Sequence, residues 1–187
     1  MGSFMIMRFA STLEEIESSK AFHNFKEKNP DAWLCAGFFV IDIESEGKGN
    51  QRQLDYCLSN GKIFTFILSG SGSIQMKEAE TLGTETPKED NIKTNKEETK
   101  EKLQKINPEI KVDLDDIGEI VKEKLMLETG KKINKIIAIL QKHHDKQIWN
   151  LTCMLPGLEL LQVQADTENG DILKFEKRNI FEFVKKQ

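Results

Sequence analysis

The stretch LLQVQADTENGDILKFEK, residues 160–177, decides the reading of the fold. Apolar and polar residues alternate through LLQVQAD, the chain breaks at Asn169-Gly170, and DILKFEK resumes as a second run. That is the pattern of two antiparallel strands joined by a turn. Asp166 opens the turn. An aspartate there can accept hydrogen bonds from the N–H groups of its own turn, and this structural use competes with a role as a ligand contact.

Reading upstream, QIWNLTCML and INKIIAIL are further strands, separated by KHHDK and followed by a turn at Pro156-Gly157. Before them, Asp113-Leu114-Asp115-Asp116 predicts a helix start, with acids favourably placed in the first turn. Ile117, Val121 and Leu125 form its apolar stripe, and Gly130 is placed to end it. The first half of the chain has a similar order. Ser11-Thr12-Leu13-Glu14-Glu15 carries a capping-box pattern, which predicts one helix to about Lys28, ended by Asn29-Pro30. A long apolar strand at 32–43, RQLDYCL, KIFTFIL and IQMKE follow, with Asn60-Gly61 predicting a type I′ hairpin turn.

The two halves are separated by residues 77–111, dominated by Lys, Glu and Thr and without an aromatic residue. Such a segment buries too little apolar surface to offset its ordering entropy. The expected organisation is therefore a first unit at 8–78, a charged linker or exposed excursion at 79–110, and a second unit at 111–187. An offset of 96 residues lays Asn60-Gly61 over Pro156-Gly157 and Cys57 over Cys153, which suggests an internal duplication. The fold class expected is α+β: two helix-plus-antiparallel-sheet units joined by the linker. Each unit has edge strands needing cover, which packing of the two sheets or edge-to-edge joining would supply.

The second half, roughly 113–176, resembles the PepSY domain. The likeness rests on the capped amphipathic helix, a strand pair carrying an aromatic at Trp149, and the ending Ala165-Asp166-Thr167-Glu168-Asn169-Gly170-Asp171-Ile172-Leu173. The first half is similar only in layout, with SGSGS where the Asp-x-x-x-Gly ending would stand. The resemblance implies a PepSY/cystatin-like layout and a non-catalytic module associated with binding or with inhibition of proteases.

Several classes are disfavoured. The formal net charge of −4 gives no global basic field for nucleic acid or anionic lipid. The longest apolar run, AWLCAGFFVI at 32–41, is half of the ~20 residues a membrane-spanning helix needs. MGSFMIMRFASTLEE has no cleavage-site pattern, so a cytoplasmic location is expected. Cys35, Cys57 and Cys153 are widely spaced in apolar runs, without a CxxC pair, and read as buried reduced thiols. No nucleophile elbow, zinc-protease, phosphate-loop or dinucleotide fingerprint occurs, so no catalytic residue, cofactor or metal is expected.

The weak ligand or partner candidates are Asp166, the turn residues His143, His144 and Asp145, and Trp149. Their plain alternatives are turn structure for the first four and a packing anchor for the tryptophan. The expected function is a non-enzymatic binding or regulatory module recognising a protein or peptide through sheet faces or edges, with homo-oligomers through the edges as a variant. The rival is a small ligand-binding protein or enzyme with an apolar pocket between helix and sheet.

Overall fold

Alternation in the strands and 3.6-residue periodicity in the helices put one apolar surface on each element, and these surfaces meet in one core. The computed structural model describes residues 7–79 and 103–179. In chain order the described elements are α1 (Phe9–Glu17), α2 (Lys20–Lys28), β1 (Trp33–Asp42), β2 (Gln51–Cys57), β3 (Ile63–Leu68) and β4 (Ile74–Ala79). They continue with α3 (Leu114–Thr129), β5 (Lys135–His143), β6 (Lys146–Leu155), β7 (Glu159–Asp166) and β8 (Ile172–Asn179). No helix of the described residues is long and apolar enough to cross a membrane.

The eight strands form one antiparallel sheet in the order β4-β3-β2-β1-β5-β6-β7-β8. This corrects the expected fold class. The chain does not make two helix-plus-sheet units, because β1 pairs with β5 from Ala36↔Gln141 to Asp42↔Lys135 and the sheet runs through that seam. The fold is mostly sheet, with three helices laid on one side. β1 is an apolar strand, buried on its helix side and partly buried on the other, and is unsuited to a free edge, so pairing with β5 supplies the cover it needs. The ring centroids of Phe39 on β1 and Trp149 on β6 lie 5.8 Å apart, so the core is as continuous as the backbone pairing.

The 96-residue offset does not match the sheet either. Cys153 belongs to the helix-side core, whereas Cys57 lies outside that cluster, on the other face. In a strand a one-residue phase error exchanges the two faces.

The first helix is shorter than expected. Ser18 and Ser19 break it, and the extended Ser19 (φ −75°, ψ 149°) caps α2 by accepting from Phe22 N. The Ser11 and Thr12 hydroxyls do not cap α1. They donate back to Arg8 O, at 3.2 and 2.8 Å. The cap of α1 comes from Asp113, whose carboxylate accepts from Phe9 N at 2.8 Å and Ala10 N at 3.1 Å. The same carboxylate opens α3, accepting from Leu114 N at 2.6 Å, while Asp116 accepts from Asp113 N. Gly130 (φ 67°) ends α3 as expected.

The Asn60-Gly61 and Asn169-Gly170 turns are not type I′, because only the glycine takes positive φ in each. Leu58 N donates to Lys62 O across a longer loop. The two-residue hairpin turn between β5 and β6, His144-Asp145, has positive φ at both positions, 46° and 65°. Of the expected linker, residues 80–102 lie outside the described residues, as do residues 180–187. Residues 103–112 are bound to the sheet: Ile106 N donates to Leu34 O, and Val112 N to Thr167 O.

Candidate functional site

The helix side of the sheet is filled. Phe22, Phe25, Tyr56, Phe64 and Phe66 interlock, with ring centroids 5.0–6.1 Å apart. Trp149, Phe9, Phe39 and Ile16 have no accessible surface. The expected apolar pocket between helix and sheet is therefore occupied by side chains in these places. Trp149 belongs to this core, and its Nε1 donates to Val112 O at 3.2 Å, which makes it a packing anchor.

The opposite face is uncovered among the described residues. One cross-strand row reads Gln75, Ile67, Gln53, Phe38, Ile139, Asn150, Gln164 and Lys174 from β4 to β8. The next reads Val40, Ile137, Thr152, Gln162 and Glu176. From β1 to β7 both rows are free of charge, in a chain that is 31% charged. Ile139 and Met154 are exposed, and Phe38, Ile137 and Leu160 are half-buried. The centre of the open face is thus a band of aliphatic, aromatic and amide side chains.

At one end of the sheet two of the four expected turn residues, Asp145 and Asp166, come together, whereas His143 and His144 do not join them. A polar cleft of about 620 Å³ lies between the β5–β6 turn, the β7–β8 turn and residues 105–108. Asp145 and Asp166 both line it, with Lys105, Lys142, Lys146 and Glu168. Asp166 serves the turn: its Oδ1 accepts from Glu168 N at 2.8 Å and its carbonyl from Gly170 N at 3.0 Å. Lys142 approaches Asp145 at 3.8 Å, and Lys111 pairs with Glu168 at 2.8 Å. The exposed rings of His143 and His144 meet edge to face, their centroids 4.0 Å apart. Three lysines and three carboxylates line the cleft, and no serine, threonine or cysteine is among its lining residues. Among the described residues, no three His, Cys, Asp or Glu side chains gather to hold a metal ion.

A second polar cluster was not foreseen in the sequence. On the open face at β1 and β2, Cys35 and Cys57 lie with their sulfurs 2.8 Å apart, both buried. Asp55 is adjacent in β2, and its Oδ1 accepts from Thr65 Oγ1 at 2.7 Å and from Gln53 Nε2 at 3.2 Å. Burial raises the Asp55 carboxyl above the usual range against these two bonds. Contact with Cys35 lowers the Cys57 thiol, whereas the same contact and burial push Cys35 up. Cys153, on the core side, is pushed up to about 12 by burial alone. The sequence signal was only two cysteines in strands expected to be neighbours.

No family model matches the chain, and no curated protein matches it. Among solved structures, the chain is similar to a protein described as a putative lipoprotein from Clostridium difficile 630. The likeness covers 84% of this chain and 90% of that one, at 14% identity and a TM-score of 0.47.

Proposed function

We propose that the protein is a non-enzymatic binding module that recognises a protein or peptide through the open face of its sheet. The observation that carries this reading is the charge-free band across β1, β5, β6 and β7. Charged residues are depleted from the cores of protein interfaces, because a charge buried without a partner costs several kcal/mol, on the order of 3–5. A band of half-exposed Phe38, Ile137 and Ile139 interleaved with amides offers apolar area and hydrogen-bonding groups to one partner surface. The likeness of residues 113–176 to the PepSY domain supports the same class of role. The cleft at the turns, with its charges of both signs, is better suited to weak contacts at the rim of such an interface than to chemistry.

The test compares the unaltered protein with its Ile139→Glu variant as baits in a native extract, followed by hydrogen exchange on any complex. Support is a stoichiometric protein retained by the first bait and lost by the second, with amide protection in β1, β5 and β6. A second copy of this chain would be detected in the same assay as a homo-oligomer. Equal capture by both baits, or a co-purifying small molecule with no protein, would overturn the reading.

A further inference from the structure

β1 and β2 are out of step at a single place. Leu34 pairs with Tyr56 and Ala36 with Asp55, so Cys35 is the extra residue of a β-bulge. A bulge re-aims the side chain it inserts. Here Cys35 turns to the open face, where Cys57, the last residue of β2, lies 2.8 Å away sulfur to sulfur. The Cys35 thiol also reaches Asp55 O, at 3.2 Å. Two sulfurs in this contact need to approach by less than about 1 Å to reach the length of a disulfide bond.

We propose that Cys35 and Cys57 are a redox pair that closes to an intramolecular disulfide between β1 and β2, with a peroxide as the oxidant. This stands independently of what the open face binds. Cys57 is the attacking sulfur, since it ends β2 beside the exposed 59–61 turn. Its thiolate displaces hydroxide from the peroxide O–O bond and becomes a sulfenic acid, and the hydroxide leaves as water with the Cys57 proton. The Cys35 sulfur then attacks Cys57 Sγ. The S–O bond breaks, the S–S bond forms, and the oxygen leaves as a second water with the Cys35 proton. Two thiols lose two electrons and one hydrogen peroxide gains them. Both sulfurs are nearly inaccessible, so a small oxidant suits the site. Cys57 also adjoins the 59–61 turn, where brief opening of the strand end exposes it.

The experiment treats the reduced full-length protein with hydrogen peroxide, quenches in acid, alkylates under denaturing conditions and measures intact mass and peptides. The three free cysteines are expected to fall to one alkylatable thiol per chain. A Cys35–Cys57 linked peptide should appear, and dithiothreitol should restore all three. Cys153→Ser should still lose its two remaining thiols, whereas Cys57→Ser should form no internal link. The proposal is overturned if all three thiols survive a dose that oxidises a free-cysteine peptide. Loss of Cys153 in step with the other two, or linkage only between chains, would also overturn it. The Cys153→Ser variant keeps the test decisive if Cys57→Ser fails to fold.

Discussion

Loss of Asp113 should destabilise two helix starts at once. Its buried carboxylate accepts from Phe9 N and Ala10 N at the start of α1 and from Leu114 N at the start of α3. Replacement by alanine removes an N-cap from α3, worth ~1–2 kcal/mol. It also leaves the buried Phe9 N–H without its acceptor and weakens the partly solvated Ala10 N–H, at ~1–3 kcal/mol for each buried group left unpaired. A total loss of ~3–6 kcal/mol follows from these two effects. Asp113→Ser separates them, because a serine hydroxyl can cap its own helix but is too short to cross to α1. It should recover the local part and lose only the crossing part, ~2–4 kcal/mol. The assay is urea unfolding followed by far-ultraviolet circular dichroism. With a slope of about 2 kcal/mol per molar, a 4 kcal/mol loss moves the midpoint down by about 2 M. A serine variant as stable as the unaltered protein would refute the claim that one carboxylate holds both helix starts.

The remaining predictions concern the sheet. Burial raises the folded-state carboxyl of Asp55, so the folded chain holds that proton longer than the unfolded chain. Its contribution to stability therefore falls as pH rises from about 4. Asp55→Asn should match the unaltered melting temperature below about pH 4 and exceed it increasingly toward neutrality; a gap that narrows with pH would contradict this. Asp42 has the opposite sign: Lys135 at 2.9 Å and the Ser45 N–H lower its carboxyl. Its stabilisation is present above about pH 4 and is lost as pH falls through the folded value, so Asp42→Asn should flatten the acid limb of a melting curve against pH. Gly49→Ala would drive a methyl group into the Asp42 carboxylate and should abolish the same acid dependence, read by the same melts. In the His144-Asp145 turn both residues are left-handed, which glycine adopts without strain. Asp145→Gly should stabilise the chain by ~0.5–1 kcal/mol in urea unfolding, and a destabilised variant would argue against strain in this turn.

Local structure was legible where one residue type has one physical use. Asp113 and Gly130 bracket α3 in the sequence as they do in the structure. Leu54 and Tyr56, and Phe64, Phe66 and Leu68, face one side as their alternation requires. Asp166 does the turn work its place before Gly170 suggested. Apart from the local break at Ser18-Ser19, the failures share a cause, which is that the deciding partner is distant in sequence. The Ser11-Thr12 pattern looked like a cap because nothing local shows that Asp113, 104 residues away from Phe9, holds that helix start. The helix break at Ser18-Ser19 uses a cap that can equally be read as an interior polar pair. The bulge at Cys35 depends on the register of two strands and leaves no mark in composition.

The seam between β1 and β5 shows why the largest error was one of assembly. WLCAGFFVID is a continuous apolar strand, buried on its helix side and partly buried on the other. A continuous apolar run of this kind belongs in the interior of a sheet, whereas an edge strand is usually marked by charge, proline or short length. β8 carries such marks in Lys174, Glu176, Lys177 and Arg178, and β4 in Lys77 and Glu78. β1 and β5 together hold only Lys135, Lys142 and Asp42 as side chains of fixed charge, and Lys135 and Asp42 neutralise each other across the seam at 2.9 Å. The charge distribution therefore marks β4 and β8 as outer strands and β1 and β5 as inner ones. An arrangement with β1 as an exposed edge would leave Phe38, Val40 and Ile41 beside an unpaired ladder, the condition that promotes aggregation. The same absence of charge that required the two strands to pair also leaves the open face at the seam uncharged, and this is where a partner surface is proposed to dock.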